Sequence, residues 1–261
     1  VVKLGVCSVT FRNLSVEDLI REVKRAGLKA IEWGSDIHVP PNNKKRAREV
    51  VRIMDEAGLE TSSYGSYYRV GIENEYSFEE VLETAVILKA KDIRVWAGRK
   101  GSSDVDDAYF NKVVRDSQRI AGLAAKENIR VSYEYHRKTL TDTVESTLKL
   151  LGTVNDENIK LYWQPSIGLD KESRLQNIKE IGQYITNVHV FKWEQTNRLS
   201  LKEGIHEWIE YSNMINRHSK NSKEPYYLLE FVKNDSLNQF YQDAEALKEI
   251  ILQSKMNINI N

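Results

Sequence analysis

The feature that most constrains the fold is a rhythm: a short apolar run, a polar loop and an amphipathic helical stretch return repeatedly along the chain. Eight runs read as buried strands: Leu4 to Val9, Ala30 to Trp33, Glu60 to Tyr64, Ile93 to Ala97, Val131 to Tyr135, Lys160 to Trp163, Asn187 to Phe191 and Tyr227 to Phe231. Parallel neighbours need crossovers of about a dozen residues or more, which these spacings supply, whereas an antiparallel sandwich would show hairpins at much shorter intervals. Between the strands, apolar residues recur at helical spacing. Val16, Leu19, Ile20 and Val23 follow a capping Ser15 and precede Gly27; Val50, Ile53, Met54 and Ala57 precede Gly58. Phe78, Val81, Leu82 and Ala85 follow Ser77, which forms a capping box with Glu80. The period continues through Phe110 to Ala121, Val144 to Leu151 and Leu237 to Leu247, and is less regular around 172 to 182 and 205 to 217.

The expected fold is therefore α/β, a single-domain (β/α)8 TIM barrel over residues 1–261, a length close to the roughly 250 residues typical of such barrels. An open doubly wound sheet is the alternative, but the first strand runs into SVTFRN rather than a glycine-rich phosphate turn. Lysine and arginine total 38 and aspartate and glutamate 38, so no net charge draws the molecule toward nucleic acid. The basic run from Lys44 to Arg52 keeps a helical apolar period and reads as a solvated helix face. No window holds the roughly 18 consecutive apolar residues of a membrane span. The lone Cys7 cannot form an intramolecular disulfide, and the N-terminal apolar run lacks a signal-peptide pattern, so a cytoplasmic location is expected. Homo-oligomerisation stays open, and the tail QSKMNININ reads as frayed.

Active sites of such barrels collect at the carboxyl ends of the strands. There the sequence is unusually polar: Glu32 ends the second strand and His38 follows it, Glu134 and His136 end the fifth, Gln164 the sixth, while His189 and Glu230 sit in the seventh and eighth. Each alone could be an ion-paired or satisfied core residue. Two carboxylates and an imidazole converging from three strands, Glu134, His189 and Glu230, instead point to a divalent cation, because buried carboxylates must be paired, protonated or metal-bound. The oxygen and nitrogen donors suit Mn2+, Mg2+, Co2+ or Zn2+ without choosing among them.

Nearly the whole chain resembles the sugar phosphate isomerase/epimerase family of xylose isomerase-like barrels, on the stretches AIEWGSDIHVPP, YEYHRKTLTDT, LYWQP, VHVFKW and YLLEFV. The resemblance implies a four-ligand metal site of Glu134, Gln164, His189 and Glu230. Gln164 stands where the family often carries an aspartate; its amide oxygen can still coordinate, but one negative charge is lost and weaker metal binding is expected.

The resemblance further implies a metal-dependent isomerase or epimerase of a sugar or sugar phosphate, in which the metal polarises a ketose carbonyl and Glu134 and Glu230 move a proton through an enediolate. His136, two residues beyond Glu134, would share its face and reach substrate or orient the carboxylate. His38, before two prolines, and Glu32 are further substrate contacts, each equally readable as structural. Of the tryptophans near strand ends, Trp163 and Trp193 are the expected ligand-facing pair, ahead of Trp33 and Trp96. Three other functions remain in view: a polyol dehydratase, in which the same enediolate expels a hydroxyl; a non-catalytic sugar-binding barrel, for which Gln164 speaks; and, least favoured on charge, an endonuclease IV-like nuclease.

Overall fold

Eight parallel strands close on themselves into a barrel, so the first strand pairs with both the second and the last. The structure, a computed structural model, describes residues 2–219 and 225–258, the side chains of 256–258 excepted. The barrel strands are β1 (Lys3–Cys7), β2 (Ala30–Gly34), β3 (Glu60–Arg69), β4 (Asp92–Trp96), β5 (Arg130–Glu134), β6 (Ile159–Trp163), β7 (Ile185–Val190) and β10 (Tyr226–Leu229). Helices α1 (Val16–Arg25), α2 (Lys44–Ala57), α3 (Phe78–Ile87), α4 (Asp107–Lys126), α5 (Val144–Val154), α6 (Lys171–Ile181), α7 (Ile205–His218) and α8 (Leu237–Ile258) form the outer ring. This is the (β/α)8 barrel expected from the sequence.

The helices begin where short polar side chains offer the first free backbone N–H groups an acceptor. Ser15 accepts from the Asp18 N–H, Asp106 from Tyr109, Thr143 from Ser146 and Asp170 from Ser173, and Ser77 with Glu80 completes the expected capping box. Gly58 ends α2 in the left-handed region at φ 69°, where a Cβ is disfavoured. Apolar helix faces such as Val16, Leu19, Ile20 and Val23 are buried against outward-facing strand residues in one continuous core.

Several boundaries differ from the sequence reading. β1 stops at Cys7 because Ser8–Phe11 turns into a 3-10 helix, and β3 runs on to Arg69 with a register shift against β4. A hairpin, β8 (Lys192–Glu194) and β9 (Asn197–Leu199), follows β7 and was not anticipated. The two less regular stretches are full helices, and α8 carries most of the supposedly frayed tail, with 259–261 outside the described residues. Among the described residues no helix is long and apolar enough to cross a membrane.

Closure rests on a close approach at Gly5, which pairs with Ala30 on one side and Leu228 on the other. A Cβ built there would lie 2.3 Å from the Ala30 carbonyl oxygen, an atom of the sheet backbone that cannot swing aside. Gly5→Ala is therefore expected to destabilise the fold by about 3 kcal/mol, the upper end of ordinary overpacking; an unchanged urea midpoint would refute this. Removing the α3 cap with Ser77→Ala should lower stability by about 1 kcal/mol in the same titration.

Candidate active site

Alternation along each strand sorts its side chains between the helices and the barrel interior. On β5, Tyr133 turns outward and donates from its hydroxyl to Ser117 of α4, leaving Ser132 and Glu134 on the inner face. The loop after β5 folds back on itself: the Thr141 hydroxyl donates to the Glu134 carbonyl at 2.7 Å, the His136 N–H to the Thr141 carbonyl at 3.1 Å, and the Thr139 hydroxyl to the His136 carbonyl at 2.6 Å. The Thr139-Leu140-Thr141 stretch thus fixes where Glu134 and His136 point. At β10, the Glu230 N–H extends the ladder to the Val190 carbonyl, and Phe231 then turns the chain at φ 56°, its N–H held by the Thr10 hydroxyl.

The carboxyl ends of the strands bring together Glu32, Arg94, Glu134, His189 and Glu230, all buried. Arg94 donates from Nε to Glu32 at 2.9 Å and from Nη1 to Glu134. Glu134 also accepts from the Trp96 indole N–H and, at 3.1 Å, from the Gln164 amide, which donates in addition to the Tyr135 carbonyl. The His189 ring stands edge-on to Tyr162, with Nδ1 3.6 Å from Glu230 and 3.9 Å from Glu134, and Nε2 3.5 Å from Glu32. Neither ring nitrogen has a hydrogen-bond partner among the described residues.

The electrostatics follow from this crowding. Burial alone would raise the Glu32 carboxyl, but Arg94 and His189 draw it down to about 2. Glu134, under the same burial, is also held below its usual range, chiefly by Arg94. Glu230 has no such guanidinium bound to it and burial pushes it up. Burial disfavours a charged His189, yet Glu230, Glu32 and Glu134 raise it to about 9. Three carboxylates therefore face one guanidinium, an excess of two negative charges when the imidazole is neutral, in a place that water scarcely reaches.

One donor atom each from Glu134, His189 and Glu230 lies within 4.8 Å of the others, and these residues fit a divalent cation by charge, by donor type and by the orphaned imidazole nitrogen. Cys7, Glu32 and His189 form a second such group on the other side of the ring. Gln164 adjoins the first group through its amide nitrogen; presenting the oxygen instead requires the amide to turn over.

This floor opens into a cleft of about 250 Å³ walled by Arg12, Tyr67, Trp96, His136, Arg137, Trp193 and Phe231 among others. A second cavity of about 390 Å³ adjoins it across His136, Arg137, Gln164 and Phe191. Trp193 lies in the wall, but Trp163 is sealed behind the barrel against Trp208 and Tyr211. His38 is likewise away from the cleft, buried against Trp33 with Nε2 3.1 Å from the Leu14 carbonyl. Glu32 lies beneath the cleft, held by Arg94 and by the Ser63 hydroxyl.

Sequence reasoning overlooked Arg94 and Tyr67 and ranked Trp96, which lines the cleft, behind Trp163, which does not. Trp96 stacks with His136 and carries the Arg69 guanidinium 3.9 Å from its ring centroid. Tyr67 sits at φ 54°, costly for a bulky side chain, as does Phe231 across the cleft; strain of this kind gathers at functional sites.

Comparison with known proteins bears on both fold and chemistry. A crystal structure of the probable 3-DHS dehydratase of Bacillus anthracis superposes with a TM-score of 0.77 at 21% identity, covering 94% of this chain and 98% of that one. L-ribulose 3-epimerase superposes at 0.75 with 12% identity over 100% and 98% of the two chains. A xylose isomerase-like barrel from Mycobacterium smegmatis in complex with magnesium gives 0.74 at 13% identity, covering 97% of each. These likenesses establish the fold. Among proteins of assigned activity, the chain is 28% identical over 168 residues to 3-dehydroshikimate dehydratase of Bacillus anthracis, spanning 61% of this chain but only 60% of that relative. It is 23% identical over 210 residues to inosose dehydratase of Clostridium botulinum, 72% and 70% of the two lengths. The expectation of an isomerase or epimerase is thereby corrected: the relatives close enough in sequence to match are dehydratases. The family model for xylose isomerase-like TIM barrels matches residues 20–250, and the chain belongs to that family.

Proposed function

We propose that the protein is a cation-dependent dehydratase acting on a polyhydroxylated ring ketone. The observation that carries this reading is that both matching relatives of assigned activity are dehydratases, one of dehydroshikimate and one of an inosose, each a hydroxylated six-membered ring bearing a ketone. A cleft of about 250 Å³ has room for one such ring.

The reaction breaks a C–H bond beside the carbonyl and a C–O bond one carbon further on, leaving a C=C double bond and water. A divalent cation held by Glu134, His189 and Glu230, with Gln164 at its margin, would polarise the ketone and take up the charge that develops on its oxygen. Glu134, already accepting from Arg94, Trp96 and Gln164, is a poor base and serves as a fixed ligand. His136 is the proton carrier: its Nδ1 lies 2.6 Å from the Arg137 carbonyl and must donate there, so the lone pair of the neutral ring is on Nε2. Nε2 takes the proton from carbon and returns it to the departing hydroxyl, so the ring ends as it began. Stacking on Trp96 fixes the imidazole plane, and Trp193 and Phe231 offer apolar faces to the ring's C–H groups.

Incubated with dehydroshikimate or an inosose and Mg2+ or Mn2+, the protein should release the dehydrated ring, read as the growing absorbance of the extended conjugation, and chelation should abolish it. Stoichiometric cation binding with no dehydration of any ring ketone in a panel would remove the reading. His136→Asn should lower kcat by about 10²–10⁴-fold, the usual worth of a general acid-base group, while cation affinity stays put; a variant with unchanged kcat would move the proton carrier elsewhere.

A further inference from the structure

His189 presents its two nitrogens to two different groups of potential ligands, and the structure distinguishes them. Nδ1 faces Glu134 and Glu230 at the floor of the open cleft. Nε2 faces Glu32 at 3.5 Å, with the Cys7 thiol nearby and 1% exposed. That inner side is already committed: Glu32 takes the Arg94 guanidinium at 2.9 Å and the Ser63 hydroxyl at 2.9 Å, and neither Glu32 nor Cys7 lines the cleft. A substrate oxygen can reach a cation on the Nδ1 side only.

We infer that Glu32, 3.5 Å from the unpartnered Nε2 of His189, is a positioning residue that takes up the Nε2 proton when a cation binds at Nδ1, with Arg94 and Ser63 holding Glu32 in place. The inference rests on the reading of Glu134, His189 and Glu230 as cation ligands, and it assigns Glu32 no contact with substrate. A carboxylate behind a metal-bound imidazole fixes both the tautomer and the ring plane and strengthens the nitrogen as a donor. Tyr162, edge-on to the ring at 5.3 Å between centroids, braces the same orientation from the side. Arg94 links the two sides of His189, because the guanidinium that steadies Glu32 also binds Glu134.

The test uses Zn2+ as probe and reads structure and affinity rather than turnover. In the zinc-loaded full chain with 15N-labelled histidine, long-range proton-nitrogen spectra should show His189 coordinated through Nδ1 with a proton on Nε2. By calorimetric titration, Glu32→Gln should weaken zinc binding by about ten- to a hundredfold. Coordination through Nε2, or a Glu32→Gln protein binding zinc as tightly as the parent, overturns the assignment. If the variant does not fold, the parent spectrum alone decides. A parent that binds no zinc removes the cation site and this inference together, whereas Nε2 coordination removes the assignment and leaves a cation site standing.

Discussion

One buried guanidinium holds the centre of this barrel together. Arg94 lies on the inner face of β4 with almost no solvent and binds Glu32 of β2 and Glu134 of β5 at once, tying three strands at their functional ends. Buried charges are tolerated only when partnered, and removing one partner leaves the others exposed to the full desolvation penalty, about 3–5 kcal/mol for a broken buried pair. Because one cation serves two carboxylates, Glu230 and His189 are left with an uncompensated negative field. The acidic character of the cleft floor is thus a consequence of how the strands are pinned, and the site could not be emptied of acid without loosening the barrel.

The same alternation that builds the wall positions the chemistry. Strands β4, β5 and β7 send apolar residues outward to the helices and turn Asp92, Arg94 and Trp96, Ser132 and Glu134, and Asn187 and His189 inward, while Cys7, Ala30 and Leu228 form a small apolar cluster of their own on β1, β2 and β10. The helices need only a continuous apolar surface, which any mixture of Val, Ile and Leu supplies. The inner face is far less permissive, since a polar group left there without a partner, as the His189 nitrogens and the Asn187 amide are, carries a desolvation cost. An irregularity late in β3 at Tyr67 and the turn after β10 at Phe231 then bend the chain through left-handed backbone so that aromatic side chains close over the floor.

Much of this was legible in the sequence, for identifiable reasons. Helix starts were readable at Ser15 and Ser77 because capping is a local interaction. The convergence of Glu134, His189 and Glu230 was readable because charge in an apolar strand demands a partner. Arg94, a charge inside Ile93 to Ala97, carries the same signal with the opposite sign: it is what balances the buried carboxylates. The choice of Trp163 over Trp96 was a matter of parity: Tyr162 faces His189, so its neighbour Trp163 must face the helices, while Trp96 shares a face with Arg94. His38 was placed by its flanking prolines, but the Leu14 carbonyl that holds it lies 24 residues away. The left-handed turns at Tyr67 and Phe231 left no trace, since neither position carries the glycine or asparagine that would announce them.

The class of reaction was harder to read than the convergence of Glu134, His189 and Glu230, and the reason lies in the reactions themselves. Isomerisation, epimerisation and dehydration of a hydroxy ketone all begin by removing a proton beside a polarised carbonyl, so all three call for the same acidic ligands and the same buried imidazole. They part only afterwards, according to whether the proton is returned to carbon or delivered to a hydroxyl on the next carbon. That decision belongs to the wall of the cleft, to where a proton carrier stands relative to the ring and how tightly the ring is held. Here the wall is made by Trp96 at the very end of β4 and, beyond the barrel strands, by His136 on its folded loop, by Trp193 and by a strained Phe231. Motifs that specify the floor therefore name a family of reactions, and the fate of the proton is written in the loops above it.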